Sequence, residues 1–303
     1  MPVAERMKGD LWAIVSAVTT GCGLIASKVV LRTLDPLTLN AYAFFFGSLV
    51  VLGEAVLSGN LAATFRVTFK QLLFLTLLAV LFCGSLFCLM SALNLVEPAT
   101  VSFLSRLELV ITLILAGFFL RERISIAETI GLAVVVIGIL VMRYGASMAL
   151  SKAMVLVVIS ALLSGTGEVI TKARIDWIDF HAFVFYRNAI MTLLFVAAGV
   201  ITRKLVWVSD GQSILLMAAV GFFMPYWGRL GYLKAMKYIK ISRAVIIVQS
   251  QPFFTATLAL VILGTLPPVR QMAGGLLIVA GVVLMRILEN RPAALVRNPQ
   301  ASE

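Results

Sequence analysis

Apolar residues run through this chain in blocks of about twenty, separated by short charged or turn-forming breaks. The blocks are Leu11–Val30, Leu37–Leu57, Gln71–Leu93, Ala99–Leu120, Ile126–Met142, Ala153–Thr171, His181–Ile201, Ser213–Leu233, Ala244–Leu263 and Gln271–Met285. As a helix, ~20 residues at 1.5 Å each cross ~30 Å of hydrocarbon. Most of the ten blocks have that length, and each is predicted to span a bilayer. The breaks hold only a few residues, which leaves no room for an inserted soluble domain. The pattern predicts an all-α polytopic membrane protein.

A repeat organises the blocks. Thr20-Gly21-Cys22-Gly23-Leu24-Ile25-Ala26-Ser27-Lys28 returns 144 positions later as Ser164-Gly165-Thr166-Gly167-Glu168-Val169-Ile170-Thr171-Lys172. Each copy is followed, seven residues after its lysine, by Asp35 or Asp179. Further on, Glu128, Gly131, Gly138 and Arg143 match Gln271, Gly274, Gly281 and Arg286 at an offset of 143, as Ala92 matches Ala235. Each half thus holds five spans. Five is odd, so the second half enters the membrane from the opposite face, the inverted-repeat plan of many secondary transporters. The repeats are expected at 9–143 and 150–287, with 288–303 a polar, Pro-containing tail that is cytoplasmic and disordered.

Composition agrees with a lipid solvent: 61% of 303 residues are apolar and 13% charged, and mean hydropathy is +1.05. A net charge of +11 would suggest nucleic acid until the charges are placed. With ten spans and a cytoplasmic N-terminus, fifteen Lys and Arg fall on the cytoplasmic side and six opposite. That is the positive-inside bias, and it places both termini in the cytoplasm. The basic excess is topological, so no nucleic-acid partner is expected. The first block is too long for a signal-peptide core. Cys22, Cys83 and Cys88 lie in apolar blocks without metal spacing or a disulfide frame.

The stretch from Pro98-Ala99-Thr100-Val101 to Leu120-Arg121-Glu122-Arg123-Ile124-Ser125, with Gly131 and Gly138 behind it, resembles the drug/metabolite transporter superfamily in its EamA-type branch. A weaker copy runs from Ser242 to Met285, so the resemblance covers about Leu11 to Met285. It implies a basket in which spans one to four and six to nine surround a central cavity while spans five and ten stand outside. The chain departs from the family's pattern in two places. Thr265 replaces a usual glutamate, and Ala43, with neighbouring Asn40, stands where an arginine is frequent, although Arg187 matches that arginine in the second half.

Ionisable groups inside lipid cost ~2.5–3.5 kcal/mol each on insertion scales and need a partner or water. Lys28 and Glu54 lie near span ends, where snorkelling is the plainer reading. Arg106 and Glu108 fall near the middle of span four, and two positions on a continuous helix would point them ~200° apart. Their repeat counterparts are Gln249 and Gln251, one polar pair per half. A second set comprises Glu168, with Lys172 at i+4, then Tyr186 and Arg187, and Trp227 and Arg229, the last flanked by Tyr226 and Tyr232. Aromatic faces beside guanidinium groups can hold cations or stack on planar ligands, and an interfacial aromatic belt accounts for Arg229 equally well. Substrate binding is expected at Arg106, Glu108, Gln249, Gln251, Tyr186, Arg187, Glu168, Trp227 and Arg229, with Glu108 the candidate for proton coupling. Pro252 is expected to break span nine near this site.

His181 is the sole histidine, and no nucleophile triad, zinc cluster or phosphate loop is present. No enzyme activity, cofactor or metal is therefore expected. The expected protein is a plasma-membrane secondary transporter of a small polar metabolite, favouring an amino acid or related zwitterion and, from the family resemblance, export. The rivals are an organic-cation or drug exporter, in which Glu108 or Glu168 dominates, and a non-transporting membrane subunit or sensor. Glycines on the outermost helices read as packing residues, with a homodimer contact as the alternative.

Overall fold

The computed structural model describes residues 3–57, 59, 66–108, 110–111, 114–115, 126–143, 147–172, 174, 177–239, 247–248 and 250–289. Most of the tail expected at 288–303 lies outside them. The described residues form ten helical segments and no strand: α1 Val3–Val30, α2 Pro36–Leu57, α3 Phe69–Leu95, α4 Pro98–Leu104, α5 Ile126–Arg143, α6 Met148–Lys172, α7 Phe180–Ile201, α8, α9 and α10 Val269–Glu289. Here α8 runs Gly211–Gly221, continues as a π-helical stretch Phe222–Gly228, and resumes over Arg229–Tyr238. Helix α9 is Gln251–Leu258 extended by a π-helical turn Ala259–Leu263. Six of these helices are long and apolar enough to cross a membrane, and shorter apolar helices lie at Thr129–Val141, Gln251–Leu263 and Val269–Leu284. The protein is a multi-pass membrane protein. Helix α1 begins two turns ahead of its apolar block, with Lys8 and Asp10 on the extension.

The repeated Lys-x6-Asp spacing marks a helix end followed by a helix start. Asp35 accepts the N–H of Leu37 at 3.0 Å, and Asp179 those of His181 and Ala182 at 2.9 and 3.3 Å, so each aspartate caps the next helix. Thr68 and Gln71 form a capping box at the start of α3. Asp210 caps α8, and the Ser213 N–H it binds holds its carboxyl below the usual range. Lys28 closes a helix at the other end: its ammonium donates to the carbonyls of Leu93 at 2.7 Å and Val96 at 2.9 Å. Those are carbonyls the end of α3 leaves unpaired, in a place where the helix dipole favours a cation.

Helix pairing follows the repeat. Helix α1 packs on α8 as α6 packs on α3, α1 on α9 as α6 on α4, and α8 on α2 as α3 on α7. The remaining principal pairs, α2 with α7, α4 with α9 and α5 with α10, join counterpart helices. Individual contacts repeat too. Ser16 Oγ donates to the Gly228 carbonyl at 2.7 Å, and its counterpart Ser160 meets Ser85, the counterpart of Gly228, at 2.9 Å. Gly23 faces Met224 as Gly167 faces Phe82. Glycine in the duplicated motif thus makes room for one large side chain from the facing helix, the packing role its sequence suggests.

The α5–α10 pair is the tightest. A Cβ on Gly138 would fall 2.7 Å from the Gly274 carbonyl and 2.9 Å from Ile278, and one on Gly281 2.7 Å from the Gly131 carbonyl and 2.8 Å from Val135. Numbers rise along one helix as they fall along the other, so α5 and α10 are antiparallel. The same holds for α2 and α7, where Glu54 meets His181 and Phe44 stacks on Phe195. Helix α10 also touches α4, so α5 and α10 stand beside the other eight helices.

Candidate functional site

A turn stands at nearly corresponding points of the two repeats. Helix α4 stops at Leu104, turns at Ser105 and Arg106, and resumes at Leu107. The cause is local. Ser105 Oγ and Arg106 Nε both donate to the Ser102 carbonyl, at 2.9 and 3.3 Å. The Arg106 N–H, which would take that carbonyl in an α-helix, bonds Phe103 instead, and Glu108 N–H likewise reaches back only to Ser105. In the second repeat Ser250 Oγ and N–H both bond the Ile247 carbonyl, at 2.6 and 3.0 Å, and helix resumes at Gln251 with Pro252 in its first turn. Proline is tolerated there because its missing N–H has no partner to lose. Pro252 is expected from the sequence to break span nine; the turn lies at Ser250, and Pro252 opens the helix that follows it. The continuous span-four helix that would separate Arg106 from Glu108 by ~200° is overturned: side chains competing for one carbonyl shift the ladder to the shorter turn.

The two breaks face each other. Arg106 Nη2 donates to Gln251 Oε1 at 2.6 Å and Ser105 Oγ at 3.2 Å. One turn away Thr255 Oγ1 donates to Ser102 Oγ at 3.4 Å. The pairs 106/251 and 102/255 make α4 and α9 antiparallel at this crossing. Gln249 lies outside the described residues.

Glu108 lies with its carboxylate against the Ser164 hydroxyl of α6, within electrostatic range of Glu168, Arg106 and Arg229. Glu168 and Arg229 form an ion pair at 3.1 Å. The charged residues of the central and second sets, with Gln251, therefore form one network across α4, α6, α7, α8 and α9. The Lys172 side chain lies outside the described set, and Glu168 takes its cation from α8. Arg106, Glu108, Glu168 and Arg229 are surrounded by other helices, yet each is only partly buried; the pair Arg229 and Glu168 retains 21 and 33% of its side-chain area. Charge at this depth is tolerable where it meets water and opposite charge.

Arg187 sits deeper, 7% exposed. Its Nη2 donates to Asn188 Oδ1 at 3.4 Å, and the guanidinium lies 5.5 Å from the Phe82 ring and 6.0 Å from that of Phe183. Two residues of the expected set are turned elsewhere. Tyr186 stands edge-on to Phe185 and packs on an apolar cluster. Trp227 stacks on Trp12 with ring centres 5.9 Å apart. The π-helical stretch around Pro225 explains the divergence of Tyr226, Trp227 and Arg229. An extra residue per turn rotates the helix after it, so Tyr226 reaches Glu54 on α2 while Arg229 reaches Glu168 on α6.

Sequence reasoning missed Ser164, Asn188 and the Ser102–Thr255 contact. Ser164 opens the duplicated motif, and Asn188 follows Arg187 directly, so both carried a signal. The serine and threonine did not stand out among many others.

A model of the EamA-like transporter family matches residues 7–144 and again 151–287. No curated protein matches the chain. A crystal structure of a protein superposes with a TM-score of 0.69 at 18% identity, covering 95% of this chain and all of that one, a likeness of fold alone. With both family matches covering nearly the whole chain and two helix repeats meeting at a charged centre, this protein belongs to the EamA-like transporter family.

Proposed function

We propose that the protein carries an amino acid or related zwitterion across the plasma membrane by alternating access between two inverted repeats, with both termini cytoplasmic and export the favoured direction. One observation carries the reading: α4 and α9, counterparts in the two repeats, are both broken where they cross, and a partly buried network of both charge signs gathers there. Paired discontinuous helices at a repeat interface are how transporters of this general plan expose polar backbone and side chains to a substrate. The antiparallel contacts between counterpart helices support the inversion, and the charge bias of the loops supports the orientation. Guanidinium and carboxylate groups in one network suit a substrate with both charges. Glu108, between Ser164 and the arginines, is the carboxylate best placed to exchange a proton with the site.

Counterflow in liposomes with a labelled amino-acid panel tests this, on wild type and on Arg106→Gln and Glu108→Gln. Uptake above empty vesicles that either substitution abolishes is expected. Loss with Glu108→Gln but not Arg106→Gln, together with uptake of organic cations, identifies the drug-exporter rival. No flux of any kind identifies a non-transporting subunit.

A further inference from the structure

Among the described residues, the buried side-chain polar atoms without a hydrogen-bond partner are Asn40 Nδ2, Arg187 Nε, Asn188 Nδ2, Trp227 Nε1 and Arg229 Nε. Each is a donor as placed. Buried polar groups are nearly always paired, and an unpaired one is costly, so a surplus of one kind defines what is missing. The Asn188 oxygen accepts from Arg187 at 3.4 Å, and its nitrogen lies toward Gly47 of α2, so the unpaired donor at the guanidinium itself is Arg187 Nε. The charges tell the same story. Arg187 and Arg229 both lie within electrostatic range of Glu168, but only Arg229 bonds it. Three guanidinium groups, of Arg106, Arg187 and Arg229, share the two carboxylates of Glu108 and Glu168, and Arg187, which bonds neither, is more than nine-tenths buried.

From this we infer that Arg187, with Asn188 beside it, receives a compact oxyanion, a carboxylate or phosphate, on the substrate. The inference rests on the transport reading for the site's location and sharpens it: the anionic end of the ligand is obligatory and the ammonium end dispensable. An oxyanion accepts several donors at once and supplies the negative charge this corner lacks, and a guanidinium presents the fork that fits it. The rings of Phe82 and Phe183 hold the guanidinium in place while leaving its Nε unsatisfied.

The test is ligand-induced thermal stabilisation of the purified protein in detergent, which needs no transport. The probes are phenylalanine, 3-phenylpropanoate, phenylalaninamide, phenethylamine and inorganic phosphate. The two carboxylates, or phosphate, are expected to stabilise wild type, and the amide and amine to do so at least tenfold less well. If carboxylates act and phosphate does not, the oxyanion is a carboxylate; the reverse result assigns a phosphate. Arg187→Gln is expected to lose the effect at least tenfold and Arg187→Lys to keep part of it. Asn188→Asp provides a variant that does not depend on surviving a deletion. It places a carboxylate against Arg187 from within, so the unliganded protein is expected to melt higher while anion binding disappears. Equal stabilisation by acid and amide, no stabilisation by any anion, or unchanged anion binding in Asn188→Asp would each overturn the inference. If these anions bind as expected but liposomes show no flux, the anion site stands and the transport reading falls.

Discussion

Replacing Gly138 or Gly281 by alanine places a methyl group where the facing helix already stands. The new carbon would lie 2.7 Å from a backbone carbonyl oxygen in either case, about 0.7 Å inside ordinary contact, and backbone nitrogens of the facing helix lie 2.9 Å away. Backbone cannot swing aside as a side chain can, so α5 and α10 must separate. Overpacking of this kind costs ~1–3 kcal/mol, offset by the ~0.5–1 kcal/mol that alanine gains over glycine within a helix. The net loss is about 1–2 kcal/mol for each. With ~2.1 cal/mol/K of unfolding entropy per residue, that lowers Tm by roughly 2–3 °C. Gly53→Ala is the control, since nothing lies within 4 Å of the place its methyl would take, and it is expected to leave Tm unchanged or slightly raised. The two substitutions must act alike, because each glycine occupies its counterpart's place in a contact shared by both repeats. A fall in one but not the other, measured by thermal unfolding in detergent, refutes the shared interface; so does a match of both to Gly53→Ala.

Other substitutions probe the centre and its supports. Glu168→Gln leaves Arg229 without its 3.1 Å partner; since both side chains are partly exposed, about 1–2 kcal/mol of stability is expected to go, and unchanged Tm and flux together would refute a working pair. Gln251→Glu sets a carboxylate against Arg106 across the two helix breaks, a contact now of 2.6 Å. It is expected to raise Tm and slow substrate exchange in counterflow, and faster exchange would show that the crossing is not a moving part. Lys28→Met strips two short bonds from the carbonyls ending α3 and is expected to cost ~1–3 kcal/mol in thermal unfolding; a silent substitution would return Lys28 to mere snorkelling.

Several features were legible because they rest on short-range rules. Asp35 and Asp179 cap helices wherever they stand before one, so the repeated lysine-to-aspartate spacing announced two helix junctions. Lys28 was read as a snorkelling end residue, and it does lie at a helix end, but the carbonyls it bonds belong to α3, sixty-five and more residues away. The charged residues of the centre were conspicuous because lipid excludes them, which is why Arg106, Glu108, Glu168, Arg187 and Arg229 could be singled out one by one. Which of them meet was not legible. Glu168 had a lysine at i+4 as its obvious partner in sequence, and the fold brings it Arg229 of α8.

The sequence by itself determined the solvent, the number of apolar blocks and the duplication, since hydrophobic length and self-similarity are properties of the chain read in order. Tertiary structure alone decided that the helix breaks at Ser105 and Ser250 face each other, the rotation that the π-helical stretch Phe222–Gly228 gives Arg229, and the lack of a carboxylate bonded to Arg187. The physical reason is competition. A serine hydroxyl can take a backbone carbonyl or leave it to the helix, and a buried arginine can find a carboxylate or go without. Such contests are settled by what the facing helix brings within ~3 Å, and the order of residues along the chain carries no record of that.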